Sequence, residues 1–354
     1  MNVLITGGAG FIGSHLCETL LGQGHKLSVI DDLSTGRYEN IRHLEENGSF
    51  ELIIDTILNR PLVETMVKTV DIVFHLASAV GVRLIIEQPV KTIETIVEGT
   101  NVILSLARRY RKPVIITSTS EAYGKGSKVP FSEQDDIILG PTTKRRWAYA
   151  AAKIIDEFLA LAHFYETSLP VVCVRLFNTV GPRQTGQYGM VIPRFVEQAL
   201  QGKDMTVYGD GKQTRSFCHV QDTIGALIAL GGCRKASGMV VNIGNNEEIS
   251  INDLARRIKE LSGSSSRIAH IPYEEAYAEG FEDMMRRVPD LTLAQQLIGF
   301  HPHFSLDEIL LDVIRYVGET AHPTTAKMKK LPKRQKEVSD RSAQKTNRRA
   351  IWNA

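Results

Sequence analysis

The sequence predicts an α/β fold, a Rossmann-like doubly wound parallel sheet with a smaller C-terminal α/β lobe. In the first half, short apolar runs alternate with amphipathic stretches, which is typical of a parallel sheet covered by helices on both faces. Several of these runs are continuously apolar, as expected of strands that are buried on both faces. A glycine-rich turn, Gly7–Gly13, joins the first run to the first helix. After Gly181 helical segments lie among turn-rich polar stretches, which indicates a second lobe.

The individual elements follow from these patterns. Strands are predicted over Asn2–Thr6, Leu27–Asp31, Phe50–Asp55, Ile72–Leu76, Val114–Ser118 and Val171–Leu176. Helices are predicted over Ile12–Gly22, Pro89–Tyr110, Tyr149–Tyr165, Ile192–Gln201, Asp222–Leu230, Ile251–Ser262 and Leu306–Val317. We therefore predict a first domain over residues 1–175 and a second lobe over residues 176–321, with some segments free to return to the first domain. Residues 322–354 are predicted to form a separate tail.

Composition excludes several classes of protein. The chain has 354 residues, of which 43% are hydrophobic and 23% charged, so it is not disordered, collagen-like or a coiled coil. No apolar run reaches the roughly 20 residues of a membrane span, and the chain opens on MNVLITGG rather than on a leader-like segment. Cys17, Cys173, Cys218 and Cys233 are far apart, which predicts reduced thiols in a cytoplasmic protein. The histidines lack metal-ligand spacing, so no metal is expected.

The net charge of +2 is an average over two unlike parts. Residues 322–354 contain ten Lys/Arg and two acidic residues, a net charge of +8, whereas the remaining 321 residues carry 32 basic and 38 acidic groups, a net charge of −6. The tail is polar with almost no apolar periodicity, so we predict that it is disordered. Two interpretations stay open: a solvated appendage, or a contact with an anionic partner such as nucleic acid or a membrane surface.

The turn after the first strand predicts a dinucleotide site. Glycines at positions 7, 8, 10 and 13 allow a tight turn and a close approach of the backbone to a pyrophosphate, and the following helix N-terminus favours the phosphates. Asp31 follows the second strand, where a carboxylate holds the ribose hydroxyls and repels a 2′-phosphate. Asp32 adds to this bias. The sequence therefore predicts NAD rather than NADP.

Two later segments predict the chemistry. Thr117-Ser-Thr-Ser-Glu-Ala-Tyr-Gly124 lies at the carboxyl end of the fifth strand, where sheets of this kind bind ligands. Tyr149 and Lys153, in YAAAK, share one helical face, so the ammonium is expected to lower the pKa of the phenol. A tyrosinate beside a nicotinamide can accept a hydroxyl proton while hydride leaves the carbon. Thr119 is placed to hydrogen-bond the same oxygen.

These motifs resemble the extended short-chain dehydrogenase/reductase family, in its NAD-dependent nucleotide-sugar epimerase/dehydratase group. The resemblance runs from Met1 to about Val317 in TGGAGFIG, HLAS (75–78), TSTSEAYG, YAAAK, RLFNTVGPR (175–183), YGDGKQTRSFCHVQD (208–222) and NIG (242–244). It implies a triad of Thr119, Tyr149 and Lys153. It implies cofactor contacts from Gly7, Gly10, Phe11, Ile12, Gly13, Asp31, Asp32, Asp55, Thr56, Leu76, Ala77, Thr117, Tyr149 and Lys153. It implies substrate contacts from Ser120, Asn178, Arg215 and Arg287, with Arg215 at the diphosphate.

The resemblance also implies a shared first step, oxidation at sugar C4 to a 4-keto intermediate with NADH retained. A 4,6-dehydratase carries an Asp-Glu pair after the triad threonine, and Ser120-Glu121 in this chain argues against dehydration. The chain resembles UDP-glucuronate decarboxylases in TSE (119–121), RWAY (146–149) and GFEDMMRRVPD (280–290), which contains Arg287. We therefore expect a decarboxylase of the UDP-glucuronate to UDP-xylose type, with Glu121 as a further catalytic residue, in preference to a 4-epimerase acting on UDP-glucose or UDP-glucuronate.

Several alternatives remain at this level. Glu121 can instead be a solvated turn residue, and Arg287 an ordinary diphosphate ligand that epimerases share. Ile96 replaces an asparagine that the family usually has, so altered activity is an open outcome. A regulator that senses NAD without chemistry would typically lose the tyrosine or the lysine, and both are present. The helices at Pro89–Tyr110 and Tyr149–Tyr165 are expected to pair across a homodimer interface, or else to face only their own sheet.

Overall fold

A computed structural model describes residues 1–78, 88–186, 190–276 and 284–321, and the predicted basic tail lies outside them. The strands are β1 Asn2–Thr6, β2 Lys26–Asp31, β3 Phe50–Ile54, β4 Ile72–His75, β5 Val114–Thr119, β6 Val171–Leu176, β7 Thr179–Val180, β8 Met205–Tyr208, β9 Thr214–Ser216, β10 Cys218–His219, β11 Met239–Ile243, β12 Glu248–Ser250 and β13 Ile268–Ile271. The helices are α1 Phe11–Gly22, α2 Arg60–Thr69, α3 Pro89–Tyr110, α4 Trp147–Thr167, α5 Val191–Leu200, α6 Val220–Gly232, α7 Ile251–Ser262, α8 Tyr273–Ala276, α9 Thr292–Ile298 and α10 Leu306–Ala321.

Seven parallel strands form the main sheet in the order β11-β6-β5-β4-β1-β2-β3. The strand order changes direction between β1 and β4, so the carboxyl ends of these two strands frame a crevice. Sheets of this kind bind their ligands in that crevice. Along β1, Val3 and Ile5 enter one hydrophobic cluster and Leu4 enters the other. Because side chains alternate along a strand, a continuously apolar run fills the cores on both faces. The predicted doubly wound fold is confirmed.

The edge strand β11 lies far from its neighbour β6 in sequence, with Val241 paired to Val174. Residues of α6, including Ile224 and Leu227, enter the same cluster as Val3 and Ile5. The chain after residue 176 thus returns to the main sheet before it continues. A domain boundary near residue 175 remains a prediction. The segments that return to the main sheet are β11 and α6.

The remaining C-terminal elements surround a third hydrophobic cluster. Phe195 of α5, Leu254 of α7 and Leu310 of α10 are fully buried in it, beside Val207 of β8. Three two-stranded sheets, β8/β13, β9/β12 and β7/β10, accompany these helices. Within the described ranges, no helix combines the length and the apolar character that a bilayer crossing requires.

Candidate active site

A cavity of about 580 Å³ opens at the carboxyl edge of the main sheet. Its wall contains all the site residues predicted from the sequence except Arg215, so segments far apart in the chain meet there. The predicted residues in its wall are Gly7, Gly10, Phe11, Ile12, Gly13, Asp31, Asp32, Asp55, Thr56, Leu76, Ala77, Thr117, Thr119, Ser120, Glu121, Tyr149, Lys153, Asn178 and Arg287. Ile96 is buried, with 1% exposure, and is not among the lining residues.

The glycine turn forms one end of this cavity. Gly7 has φ +73°, and a Cβ there would lie 2.8 Å from the backbone nitrogen of Ala77. A Cβ at Gly13 would lie 2.2 Å from the carbonyl oxygen of Gly7. Helix α1 begins after Gly10 without a side-chain cap. The close backbone packing and the uncapped helix N-terminus both fit a dinucleotide pyrophosphate.

The acidic residues beside the turn are held by the backbone. The Asp31 carboxylate accepts hydrogen bonds of 2.8 Å from the backbone N–H groups of Ala9 and Leu33. Burial raises the pKa of Asp31, and these hydrogen bonds act in the opposite direction. Asp32 is exposed and accepts a hydrogen bond from the backbone N–H of Ser34. Asp31 therefore both braces the glycine turn and lines the cavity.

The predicted triad meets where β5 ends and α4 begins. The Tyr149 hydroxyl lies beside the side chain of Thr119, and Lys153 lies one turn farther along α4 with 2% exposure. Burial raises the pKa of Tyr149, and the charge of Glu121 adds to this shift, whereas the Thr119 hydrogen bond opposes it. The net pKa of Tyr149 is therefore raised in the protein by itself, and the lowering expected from Lys153 remains a prediction.

A charged cluster also lines the cavity. Arg146 donates a hydrogen bond of 3.0 Å to Glu121 Oε2, and Arg287 Nη1 donates to Oε1. The other arm of Arg287 donates to Asn178 Oδ1 over 2.8 Å. Burial by itself raises the pKa of Glu121, but the two guanidinium groups prevail and lower it to about 2. A carboxyl with this pKa is ionised near neutral pH, so Glu121 is suited to orient its neighbours and not to donate a proton.

Arg215 is not among the residues that line the cavity. Its side chain is buried, and Nη1 donates hydrogen bonds to the carbonyl oxygens of Thr214 and Met284 over 2.7 and 2.8 Å. Its charge still contributes to the low pKa of Glu121. Its guanidinium binds backbone carbonyl oxygens outside the cavity lining, and the direct contact with the diphosphate remains a prediction.

Two further residues of the site were not singled out from the sequence. Arg146 lines the cavity and pairs with Glu121. Its position three residues before Tyr149 is the feature of the sequence that could have indicated it. Asp156 accepts a hydrogen bond of 2.8 Å from Lys153 Nζ, and both side chains are almost fully buried. Its signal was the spacing of three residues after Lys153, which puts the two side chains together on a helix.

Comparison with known proteins identifies a family and similar enzymes. The family model described as GDP-mannose 4,6 dehydratase matches residues 4–313. UDP-N-acetyl-alpha-D-glucosaminuronate decarboxylase of Bacillus cytotoxicus is 44% identical over 317 residues, which cover 89% of this chain and 97% of that protein. UDP-glucuronic acid decarboxylase 1 of Xenopus tropicalis is 38% identical over 314 residues, which cover 89% of this chain and 71% of that protein.

Solved structures are similar over nearly the same length. UDP-glucuronic acid 4-epimerase of Bacillus cereus, in complex with UDP-glucuronic acid and NAD, is 30% identical with a TM-score of 0.81, and the match covers 90% of this chain and all of that one. UDP-glucose 4-epimerase of Thermotoga maritima, with UDP-glucose, is 29% identical with a TM-score of 0.82, and the match covers 91% of this chain and all of that one.

Proposed function

The chain belongs to the family whose model is described as GDP-mannose 4,6 dehydratase, and from this premise we propose that it is an NAD-dependent UDP-hexuronate decarboxylase. The membership confirms the resemblance to the nucleotide-sugar epimerase/dehydratase group that the motifs indicated. UDP-glucuronate, converted to UDP-xylose, is the predicted substrate. Its 2-acetamido analogue is a second candidate, because the Bacillus cytotoxicus relative is named for it.

The residues at the glycine turn fit NAD. Backbone packing at Gly7 and Gly13 leaves no room for a Cβ, and α1 begins there without a side-chain cap. Asp31 and Asp32 line the same end of the cavity, which suits ribose hydroxyls and disfavours a 2′-phosphate. The chemistry that NAD supplies when bound is reversible oxidation at sugar C4.

Proton transfer falls to Tyr149. Its hydroxyl oxygen, beside Thr119, is placed to take the proton of the C4 hydroxyl during oxidation and to return it during reduction. Lys153 supplies a positive charge in the same wall of the cavity, which stabilises the tyrosinate form. Because burial raises the pKa of Tyr149, this stabilisation is needed before the phenol can act as a base at neutral pH.

The observation that carries decarboxylation is the pairing of Glu121 with Arg146 and Arg287 in the same cavity as Tyr149. Two guanidinium groups around one carboxylate leave a net positive charge for an acidic group of the substrate. Once C4 is a ketone, a C5 carboxylate is β to it, and the electrons of the breaking C–C bond pass into the ketone as CO2 leaves. Dehydration is disfavoured because Ser120, and not an acid, lies before Glu121.

A 4-epimerase is the second candidate, because the Bacillus cereus structure is an epimerase of UDP-glucuronic acid that covers the same residues. The two reactions share the oxidation and differ in the fate of the 4-keto sugar. The test is incubation of the full chain and NAD with UDP-glucuronate, its 2-acetamido analogue or UDP-glucose, followed by mass spectrometry and NMR. Loss of CO2 from either uronate supports decarboxylation. A mass-neutral C4 epimer contradicts it and supports epimerisation, and no change with any substrate contradicts both.

We further propose a homodimer built on α3 and α4, which pack against each other. Val90 and Ile93 of α3 and Ile155 and Phe158 of α4 are apolar and 40–67% exposed. Grouped apolar exposure of this kind is typical of a protein interface. A cytoplasmic location remains a prediction, supported by four free cysteine thiols. The contact of the basic tail with an anionic partner also remains a prediction.

A further inference from the structure

Lys153 is held from behind by a carboxylate that the proposed mechanism does not use. Its Nζ donates a hydrogen bond of 2.8 Å to Oδ2 of Asp156, and Asp156 has 0% exposure. The two residues are three positions apart on α4, so the helix itself brings their side chains together. Lys153 also lines the cavity. Its ammonium therefore lies between the cavity and a buried anion.

The carboxylate continues into a chain of buried polar side chains. Thr100 of α3 has 0% exposure, and its hydroxyl lies 3.1 Å from Nε2 of His75. Burial raises the pKa of Asp156, whereas Lys153 and the Thr100 hydroxyl lower it. Oδ1 of Asp156 is buried and accepts no hydrogen bond of standard geometry within the described ranges.

At its far end this series of buried polar side chains reaches the glycine turn. Nδ1 of His75 lies 2.8 Å from the hydroxyl of Thr6, which also accepts a hydrogen bond of 3.1 Å from the backbone N–H of Ala77. Burial, with a smaller contribution from the charge of Lys153, lowers the pKa of His75 to about 3. A neutral imidazole has one N–H, so one ring nitrogen donates to one of the two threonine hydroxyls and the other accepts from the second. Thr6 immediately precedes Gly7, and Ala77 lines the cavity.

We propose that Asp156 is a positioning residue that fixes the ammonium of Lys153 in the cavity wall and sets the charge that Tyr149 experiences. The buried chain through Thr100, His75 and Thr6 ties this anchor to the glycine turn, so the cofactor end and the catalytic lysine keep one geometry. A displacement of about 1 Å can cost two orders of magnitude in rate, which gives such an anchor its value. The assignment rests on the proposed function for its kinetic test.

Other charged groups around the pair already have partners or are neutral. Glu157, the next residue of α4, is bound by Nε and Nη2 of Arg175 and by the Ser118 hydroxyl. Burial raises the pKa of the Cys173 thiol on β6, so it stays protonated. Glu121 is paired with its two arginines. The negative charge behind Lys153 is therefore that of Asp156.

The test compares Asp156→Asn with Glu166→Gln, an exposed acid on the same helix. Asp156 raises the pKa of Tyr149, so its neutralisation is expected to move the acid limb of the kcat profile to lower pH. We expect kcat of Asp156→Asn to fall about 10- to 100-fold, with KM nearly unchanged, and Glu166→Gln to match the wild type. Unchanged kcat, or a lower kcat with an unshifted pH profile, would overturn the proposal.

Thr100→Val provides a second variant should Asp156→Asn not fold. It removes the hydroxyl between Asp156 and His75 at nearly constant volume, and a smaller shift of the acid limb in the same direction is expected. An unshifted limb contradicts the assignment. If no nucleotide sugar is turned over, the proposed function fails, but the tyrosinate absorbance of the NAD complex still tests the inference. The tyrosinate absorbance of Asp156→Asn must then appear at lower pH than that of the wild type. Tyr149→Phe must abolish this difference.

Discussion

Glu121 and Arg287, 166 residues apart in the chain, form an ion pair in the wall of the cavity that contains Tyr149. Glu121 follows β5 of the main sheet, and Arg287 comes from a segment that also contacts the C-terminal elements. The pair therefore joins the two parts of the chain at the site itself. The chemistry, the cofactor, the stability and the assembly of the protein can each be tested.

Replacement of Arg287 by alanine should impair turnover of a uronate. Arg287 contributes two charge-assisted hydrogen bonds inside the cavity, so kcat/KM is expected to fall about 10- to 100-fold. Arg286 is the matched control, since it pairs with Glu248 at an exposed position. Arg286→Ala should stay within about twofold of the wild type, as exposed pairs contribute little. Equal losses in the two variants would show that Arg287 has no special role.

Tyr149→Phe should separate an enzyme from an NAD sensor. The substitution removes the hydroxyl beside Thr119 and keeps the ring, so kcat is expected to fall about 10²- to 10⁴-fold. Bound NAD, measured after heat release from the purified protein, should remain near the wild-type level. Wild-type turnover in the variant would refute the role of Tyr149 as the base.

Gly13→Ala should weaken NAD binding. Its Cβ would lie 2.2 Å from the backbone oxygen of Gly7, so the turn must shift away from the geometry that accepts phosphates. We expect the Kd for NAD, measured by calorimetry, to rise about tenfold or more. Gly22→Ala, with nothing within 4 Å of its Cβ, is the control and should bind as the wild type does. Comparable affinity in both variants would argue against this turn as the pyrophosphate site.

His75 should make the fold sensitive to acid. Its pKa is about 3 in the folded protein against 6.5 in the unfolded chain, so below pH 6.5 the unfolded chain binds the additional proton. The stabilisation is complete above pH 6.5 and falls by about 1.4 kcal/mol per pH unit as pH decreases toward 3. The free energy of unfolding, measured with denaturant at several pH values in this window, should depend less steeply on pH in His75→Gln than in the wild type. The exposed His301→Gln should keep the wild-type slope, and identical slopes in all three proteins would contradict the prediction.

Phe158→Asp should dissociate the proposed dimer. Phe158 is 67% exposed on α4, and a buried carboxylate at an apolar interface is strongly unfavourable. Light scattering should give the mass of a dimer for the wild type and of a monomer for the variant. Leu311→Asp, on α10 with 43% exposure, is the control and should remain dimeric. A monomeric wild type would exclude this interface.

Local sequence patterns were sufficient to predict the main sheet and most residues of the candidate site. Continuous apolar runs predicted β1 to β6, because a strand buried on both faces leaves no polar alternation. The predicted bounds differ by one or two residues at several ends, as at α4, which begins at Trp147 and so puts Tyr149 in its first turn. The glycine turn and YAAAK act through near neighbours in the chain, and such spacing is visible in a sequence.

Long-range pairings needed the tertiary structure. No local pattern shows that β11 returns to the edge of the sheet, that Arg215 donates to the carbonyl oxygen of Met284, or that Glu121 receives Arg146 and Arg287. The raised pKa of Tyr149 likewise depends on burial, which exists only once the chain has folded. Sequence alone therefore determined which reactive groups are present and in what order along the strands. Their partners, charge states and distances were decided by packing, because these depend on residues that only the fold brings within a few ångströms.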